Sequence, residues 1–301
     1  MDILDKILDL IEKKYKIFVI IIFSLILLFS SYLVTKYFSS GEILKKSLSL
    51  SGGYLISFNN PGIELNDIKY ALKYINSSGN VYSSGNIIYI ESEHKIDTNQ
   101  LVSALYELYK VNISESSIST YEYSSSVGNI IFNQFVQFLI IAIILSSIAI
   151  SIRYRKKEVS IILISTLLFD YLAVISILSM LDYPISSIGF IALFLIIGFA
   201  IDNNVVLATN TIKETDLTFK ERARKSFRIG LLMEAIIAII AIFLYILVPS
   251  LQVKEFSLIL IIATLIDTYY YIFGNIPLYK LLLFREEKKE DHTSTTASTT
   301  Q

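Results

Sequence analysis

The sequence predicts an α-helical membrane protein with six transmembrane helices and one α+β domain inserted between the first and second. Three observations carry this reading. Of 301 residues, 53% are hydrophobic and 18% charged, against about 25% charged in soluble domains, and mean hydropathy is +0.59. The apolar residues gather into six runs of about 20 residues, the length that crosses a bilayer core. The basic residues cluster beside alternate ends of those runs, as the positive-inside rule requires.

Residues 1–16 are charged and amphipathic, and the first apolar run, 17–38, is expected to be transmembrane helix 1. It is too long for a signal-peptide core and no small-residue cleavage site follows, so it reads as a retained anchor. Residues 39–129 are polar and read as a separate domain. Five further runs follow closely at 130–152, 159–181, 185–209, 229–248 and 256–280, making a bundle over 130–284. Residues 285–301, charged and then rich in Ser and Thr, are expected to form a disordered cytoplasmic tail.

Orientation follows from the loops. Lys13, Lys14 and Lys16 precede the first run, and Arg153, Arg155, Lys156 and Lys157 separate the second from the third. Lys213, Lys220, Arg222, Arg224, Lys225 and Arg228 separate the fourth from the fifth, and Arg285, Lys288 and Lys289 follow the sixth. Six crossings put all of these on one side. Both termini are then expected in the cytoplasm and the 39–129 domain outside, in a multi-pass protein of the cytoplasmic membrane.

Within that domain, Tyr54–Asn59 reads as a strand entered through Gly52-Gly53. Asn66 is expected to cap a helix over Asp67–Asn76 with Ile68, Leu72 and Ile75 inward. Asn80–Ser83 and Asn86–Glu91 read as strands around a Ser-Ser-Gly turn. Thr98 is expected to cap a second helix with Leu101, Leu105 and Leu108 inward, and Ser117–Tyr123 alternates as a last strand. The order β-α-β-β-α-β is the ferredoxin-like split pattern.

Composition excludes much chemistry. The net charge of −1 points to no nucleic acid, and the absence of cysteine removes thiolate catalysis, disulfides, iron–sulfur clusters and Cys-type zinc sites. His94 and His292 lie far apart, so no metal site is expected. Gly52-Gly53 lacks the spacing and lysine of a phosphate loop, and there is no nucleophile elbow. No cofactor and no enzymatic activity are expected. The external tyrosines read either as sheet packing or as the lining of a peptide groove.

The informative residues lie inside the membrane. Each of the last four runs carries an acid: Asp170, Asp202, Glu234 and Asp267, with Asn203 and Asn204 directly after Asp202. An ionised side chain at the bilayer centre costs about 2.5–3.5 kcal/mol, which makes each a functional candidate by default. Stripes around them (Gly198; Gly230, Ala238 and Ala241; Thr264, Tyr271 and Gly274) mark faces where helices approach closely. The competing reading is structural: a buried acid can hydrogen-bond a neighbouring helix, though such bonds average only about 0.6 kcal/mol. Asp202 is the strongest functional candidate on this reading. Glu234 and Asp267 read as structural, Glu234 because it lies near the cytoplasmic end of its run and is placed to snorkel.

At the fourth run, Gly198-Phe-Ala-Ile-Asp202-Asn-Asn-Val-Val206 followed by Ile212-Lys213-Glu214 resembles the signature of SecD and SecF proteins, members of the resistance-nodulation-division superfamily. Ser51-Gly-Gly-Tyr54, Val127-Gly128, Asp170 and Glu255-Phe-Ser-Leu258 resemble further elements of that family in the same order. One external domain and six spans favour its SecF branch, in a divergent archaeal-type form. The chain departs from the bacterial pattern at Asn203, where the SecF aspartate usually stands, at Met233, where an arginine does, and in Ala208–Thr211, one residue longer.

The resemblance implies an accessory subunit of the Sec export machinery. Its partners would be a SecD-like six-helix subunit, the Sec channel, an exported polypeptide and the lipid bilayer, with proton flow through the membrane acids driving the external domain. Two other readings stay open at this stage. One is a half-transporter exporting small molecules or lipids, and the other a purely structural membrane subunit.

Overall fold

The structure is a computed structural model that describes residues 3–213 and 217–284. The expected tail at 285–301, with Arg285, Lys288, Lys289 and His292, and residue Glu214 of the fourth-run signature lie outside the described residues. In chain order the elements are α1 (Ile3–Ser40), α2 (Leu48–Ser51), β1 (Gly53–Asn59), α3 (Leu65–Tyr74), β2 (Asn80–Ser84), β3 (Ile87–Ser92), α4 (Thr98–Tyr109), β4 (Ser119–Tyr123), α5 (Ser125–Tyr154), α6 (Lys157–Met180), α7 (Ser187–Lys213), α8 (Phe219–Leu247), α9 (Leu251–Tyr270) and α10 (Ile276–Leu282). A π-helical turn, Tyr271–Asn275, joins α9 to α10.

Six helical stretches among the described residues are long and apolar enough to cross a membrane. They begin earlier or end later than the apolar runs, because amphipathic flanks continue the helix beyond the purely apolar segment. α1 already starts at Ile3, and Lys14 has non-helical torsions (φ −119°, ψ 20°) that kink it. The eleven helical residues ahead of the kink seat Leu8 and Ile11 in the bundle core. Their acids meet bases at the ends of α8 and α10: Asp5 to Arg224 (2.8 Å), Glu12 to Lys280 (2.7 Å) and Asp9 to Lys220.

The inserted domain is a four-stranded antiparallel sheet of order β2-β3-β1-β4 with α3 and α4 on one face. That order and pairing is the split βαβ arrangement. Its cause is visible in the alternation of each strand: Ile56, Phe58, Val81, Ile88 and Ile90 point to the helices and are buried with Ile68, Leu72, Leu101 and Leu105. The helix caps differ from expectation by one or two residues. Asp97, not Thr98, caps α4, accepting from the backbone N–H groups of Asn99 (2.9 Å) and Gln100 (3.4 Å). A carboxylate meets the positive helix end better than a hydroxyl. α3 starts after Glu64 with no side-chain cap, so Asn66 lies inside it.

The domain is tied to the bundle at two places. Gly52, at φ +89°, stands where a Cβ would come within 2.6 Å of Ser125, and a Cβ on Gly128 would come within 2.4 Å of the Leu50 carbonyl oxygen. These two glycines let α2 cross the start of α5 backbone to backbone. Residues 45–47 also pair with the α6–α7 loop, where the Ser47 N–H donates to the Ile185 carbonyl (2.9 Å) and the Ile185 N–H to that of Lys45 (2.8 Å).

Candidate functional site

Helices α6, α7, α8 and α9 turn polar side chains toward one another inside an otherwise apolar core. Asn203 and Asn204, adjacent on α7, are both buried and face different neighbours. The Asn203 amide donates to Glu234 Oε1 on α8 (2.7 Å). The Asn204 amide donates to the Ala200 carbonyl (2.6 Å) and, more weakly, to Asp267 Oδ1 on α9 (3.4 Å). Glu234 and Asp267 lie side by side. Asn275 extends the chain, donating to Asn204 Oδ1 and accepting from Thr166 Oγ1 of α6 (2.9 Å). One helical turn beyond Thr166 is Asp170, 0% exposed, with neither carboxyl oxygen hydrogen-bonded among the described residues.

Several oxygens in this cluster have no hydrogen-bond partner among the described residues: one on each of Asn203, Glu234 and Asp267, both on Asp170, and the Tyr271 hydroxyl. Gly230 makes the space for two of them. A Cβ there would lie 2.9 Å from Asn203 Oδ1 and 3.1 Å from the Tyr271 hydroxyl. No Lys or Arg occurs between residues 158 and 212, 229 and 253, or 255 and 279. The acids are therefore surrounded by amides, hydroxyls and one another.

The structure thus brings together Asp170, Asn203, Asn204, Glu234 and Asp267, but not Asp202, whose side chain is exposed. The 100° step of a helix explains it: Asn203 and Asn204 occupy the buried arc, and Asp202 joins Ile191, Leu195 and Gly198 on an exposed stripe at helical spacing. A Cβ on Gly198 would meet nothing within 4 Å. Glu234 does not snorkel. α8 starts at Phe219, which places Glu234 midway along it and 4% exposed. Met233, beside it, is half-buried.

Thr166 and Asn275 escaped the sequence reading, because an isolated Thr or Asn in an apolar run carries no signal of its own. Pro277 was the available clue. It has no N–H for the Phe273 carbonyl, and the π-helical turn just before it re-aims Asn275 into the bundle.

The family profile described as protein export membrane protein SecD/SecF, C-terminal, matches residues 103–285. The chain belongs to the SecD/SecF family of protein-export membrane proteins. The protein-export membrane protein SecF of Pyrococcus furiosus is 21% identical over 285 residues, covering 92% of this chain and 93% of its own. That of Methanocaldococcus jannaschii is 23% identical over 230 residues, covering 74% and 79%. The crystal structure of SecDF, a translocon-associated membrane protein, from Thermus thermophilus superposes with a TM-score of 0.68 at 14% identity, over 89% of this chain and 38% of that one. SecDF in its super-membrane-facing form gives 0.57 at 15% identity, over 91% and 39%. This member of the SecD/SecF family stands on the SecF side, among divergent archaeal-type forms, as a multi-pass cell-membrane protein.

Proposed function

We propose that the chain is one half of a two-part export assembly, pairing with a SecD-like six-helix subunit beside the Sec channel. Proton movement through its buried acids shifts the α+β domain against an exported polypeptide. The open face of α7 carries the pairing. An aspartate turned to lipid more than half-way along a spanning helix costs about 2.5–3.5 kcal/mol, and Gly198 one turn away offers a notch for a facing helix. A partner bundle seated there gives Asp202 protein surroundings. Coverage of 38% of the SecDF chain fits a subunit that takes its other half from a partner.

Two carboxyl groups side by side, with no cation between them, can share one proton between the oxygens that the amides leave free. Gain or loss of that proton changes which donors Glu234 and Asp267 need, and with them the packing of α7 against α8 and α9. α7 is one residue from Ser186, next to the backbone pairing that holds residues 45–47, so its movement is passed to the domain. In this reading the domain is external, both termini are cytoplasmic, and the chain breaks no covalent bond.

Mass spectrometry of the protein purified from native membranes tests the pairing. A second six-span protein with a related fourth-span signature is expected, and Gly198→Leu lowers its recovery about tenfold. Recovery as a homodimer sinks the pairing and puts a half-transporter in its place.

A further inference from the structure

A cleft of about 430 Å³ opens between the free face of the sheet and the outer ends of the spanning helices. One wall is the sheet face that turns away from α3 and α4, where Tyr82 and Tyr89, paired across β2 and β3, stack at 5.5 Å between ring centroids, with Tyr123 nearby. The other wall comes from the α6–α7 loop, with Tyr183, and from the α8–α9 loop and the start of α9, with Glu255. Two carboxylates face this aromatic space. Glu91 accepts a 2.7 Å hydrogen bond from the Tyr82 hydroxyl through one oxygen and is half-buried. Glu255, 8% exposed, accepts from the Ser186 N–H (2.7 Å) and hydroxyl (2.6 Å) at the start of α7. Among the described residues neither is in a salt bridge with Lys or Arg.

We propose that this cleft is a binding site for a cationic side chain, arginine above all, carried by an extended polypeptide. Stacked tyrosine faces attract a cation, and a planar guanidinium lies on such faces while forking onto a carboxylate. Burial and the neighbouring Glu91 raise the Tyr82 hydroxyl above the ordinary tyrosine range, and burial with Glu255 pushes Tyr183 up to about 12. Both phenols keep their protons at physiological pH. Tyr82 therefore acts as donor to Glu91. The volume admits a few side chains and not a folded domain. That the occupant is polypeptide rests on the export reading; that it is cationic rests on the cleft alone.

The test uses the full chain in lipid nanodiscs and a blocked peptide, acetyl-Ala-Ala-Arg-Ala-Ala-amide, with citrulline replacing arginine in the control. Isothermal titration should show the arginine peptide binding at least tenfold tighter than the citrulline one. Glu91→Gln and Tyr82→Leu should each remove that preference, and Tyr82→Phe, which keeps the stack, should retain most of it. Equal binding of the two peptides, an unchanged preference in Glu91→Gln, or a preference that follows nanodisc lipid charge instead of Glu91 would overturn the proposal. No partner subunit enters this assay, so its failure leaves the pairing standing, and failed co-purification leaves the cleft standing.

Discussion

At the scale of single residues, the question is whether Glu234 and Asp267 move protons or simply join helices. Glu234→Gln and Asp267→Asn discriminate, because an amide keeps the size and a hydrogen-bonding oxygen but cannot lose its proton. If the acids carry protons, each variant assembles at normal yield and loses at least tenfold in export stimulation, and the double variant is no worse than either single one. Near-normal export in both single variants would show that hydrogen-bonded glue suffices. The acids themselves were legible from the sequence because charge inside an apolar run stands out. Their company was not: Asp202 stands beside Asn203 in the chain, but a 100° turn separates an open face from a buried network.

Two elements carry predictions of their own. The π-helical turn at Tyr271–Asn275 exists beside Pro277, and Asn275 depends on it to reach Thr166 and Asn204. Pro277→Ala permits a regular α-helix, which rotates Asn275 out of the network. Export stimulation is expected to fall several-fold with little loss of thermal stability; unchanged export would show that the turn is incidental. The other element is the segment of α1 ahead of the kink at Lys14. Its three ion pairs are partly exposed, with side-chain exposures from 16% to 41%, and such pairs contribute about 0–1 kcal/mol each. Ile11, at 0% exposed, is the larger anchor, since truncating a buried Ile to Ala costs about 2–5 kcal/mol. Ile11→Ala should therefore lower the melting temperature more than Asp5→Asn, Asp9→Asn and Glu12→Gln combined. The reverse order would mean that charge, rather than burial, holds the segment.

For the whole molecule, the absence of cysteine makes orientation directly measurable. A single cysteine at Ser83 on β2 should react with a membrane-impermeant maleimide in intact cells, and one at Lys13 only after permeabilisation. Labelling in the opposite sense would invert the topology and remove the α+β domain from the exit side. The tie between domain and bundle is a property of this scale too. It rests on a few backbone hydrogen bonds at residues 45–47 and on two glycines, Gly52 and Gly128, whose missing side chains allow backbones to cross.

The sequence by itself determined the spans, the alternation of the basic loops, the split β-α-β-β-α-β order and the identity of the membrane acids. Each of these is written in local hydropathy, charge and periodicity, which neighbours in the chain reveal. The tertiary structure decided what those patterns cannot encode. It set which acids share a core, that Asp202 faces outward, that Asn275 and Thr166 complete the network, and that the tyrosines of the sheet meet the α6–α7 and α8–α9 loops across a cleft. The physical reason is that a helix or strand fixes the directions of its own side chains, whereas their neighbours depend on how distant elements rotate and pack.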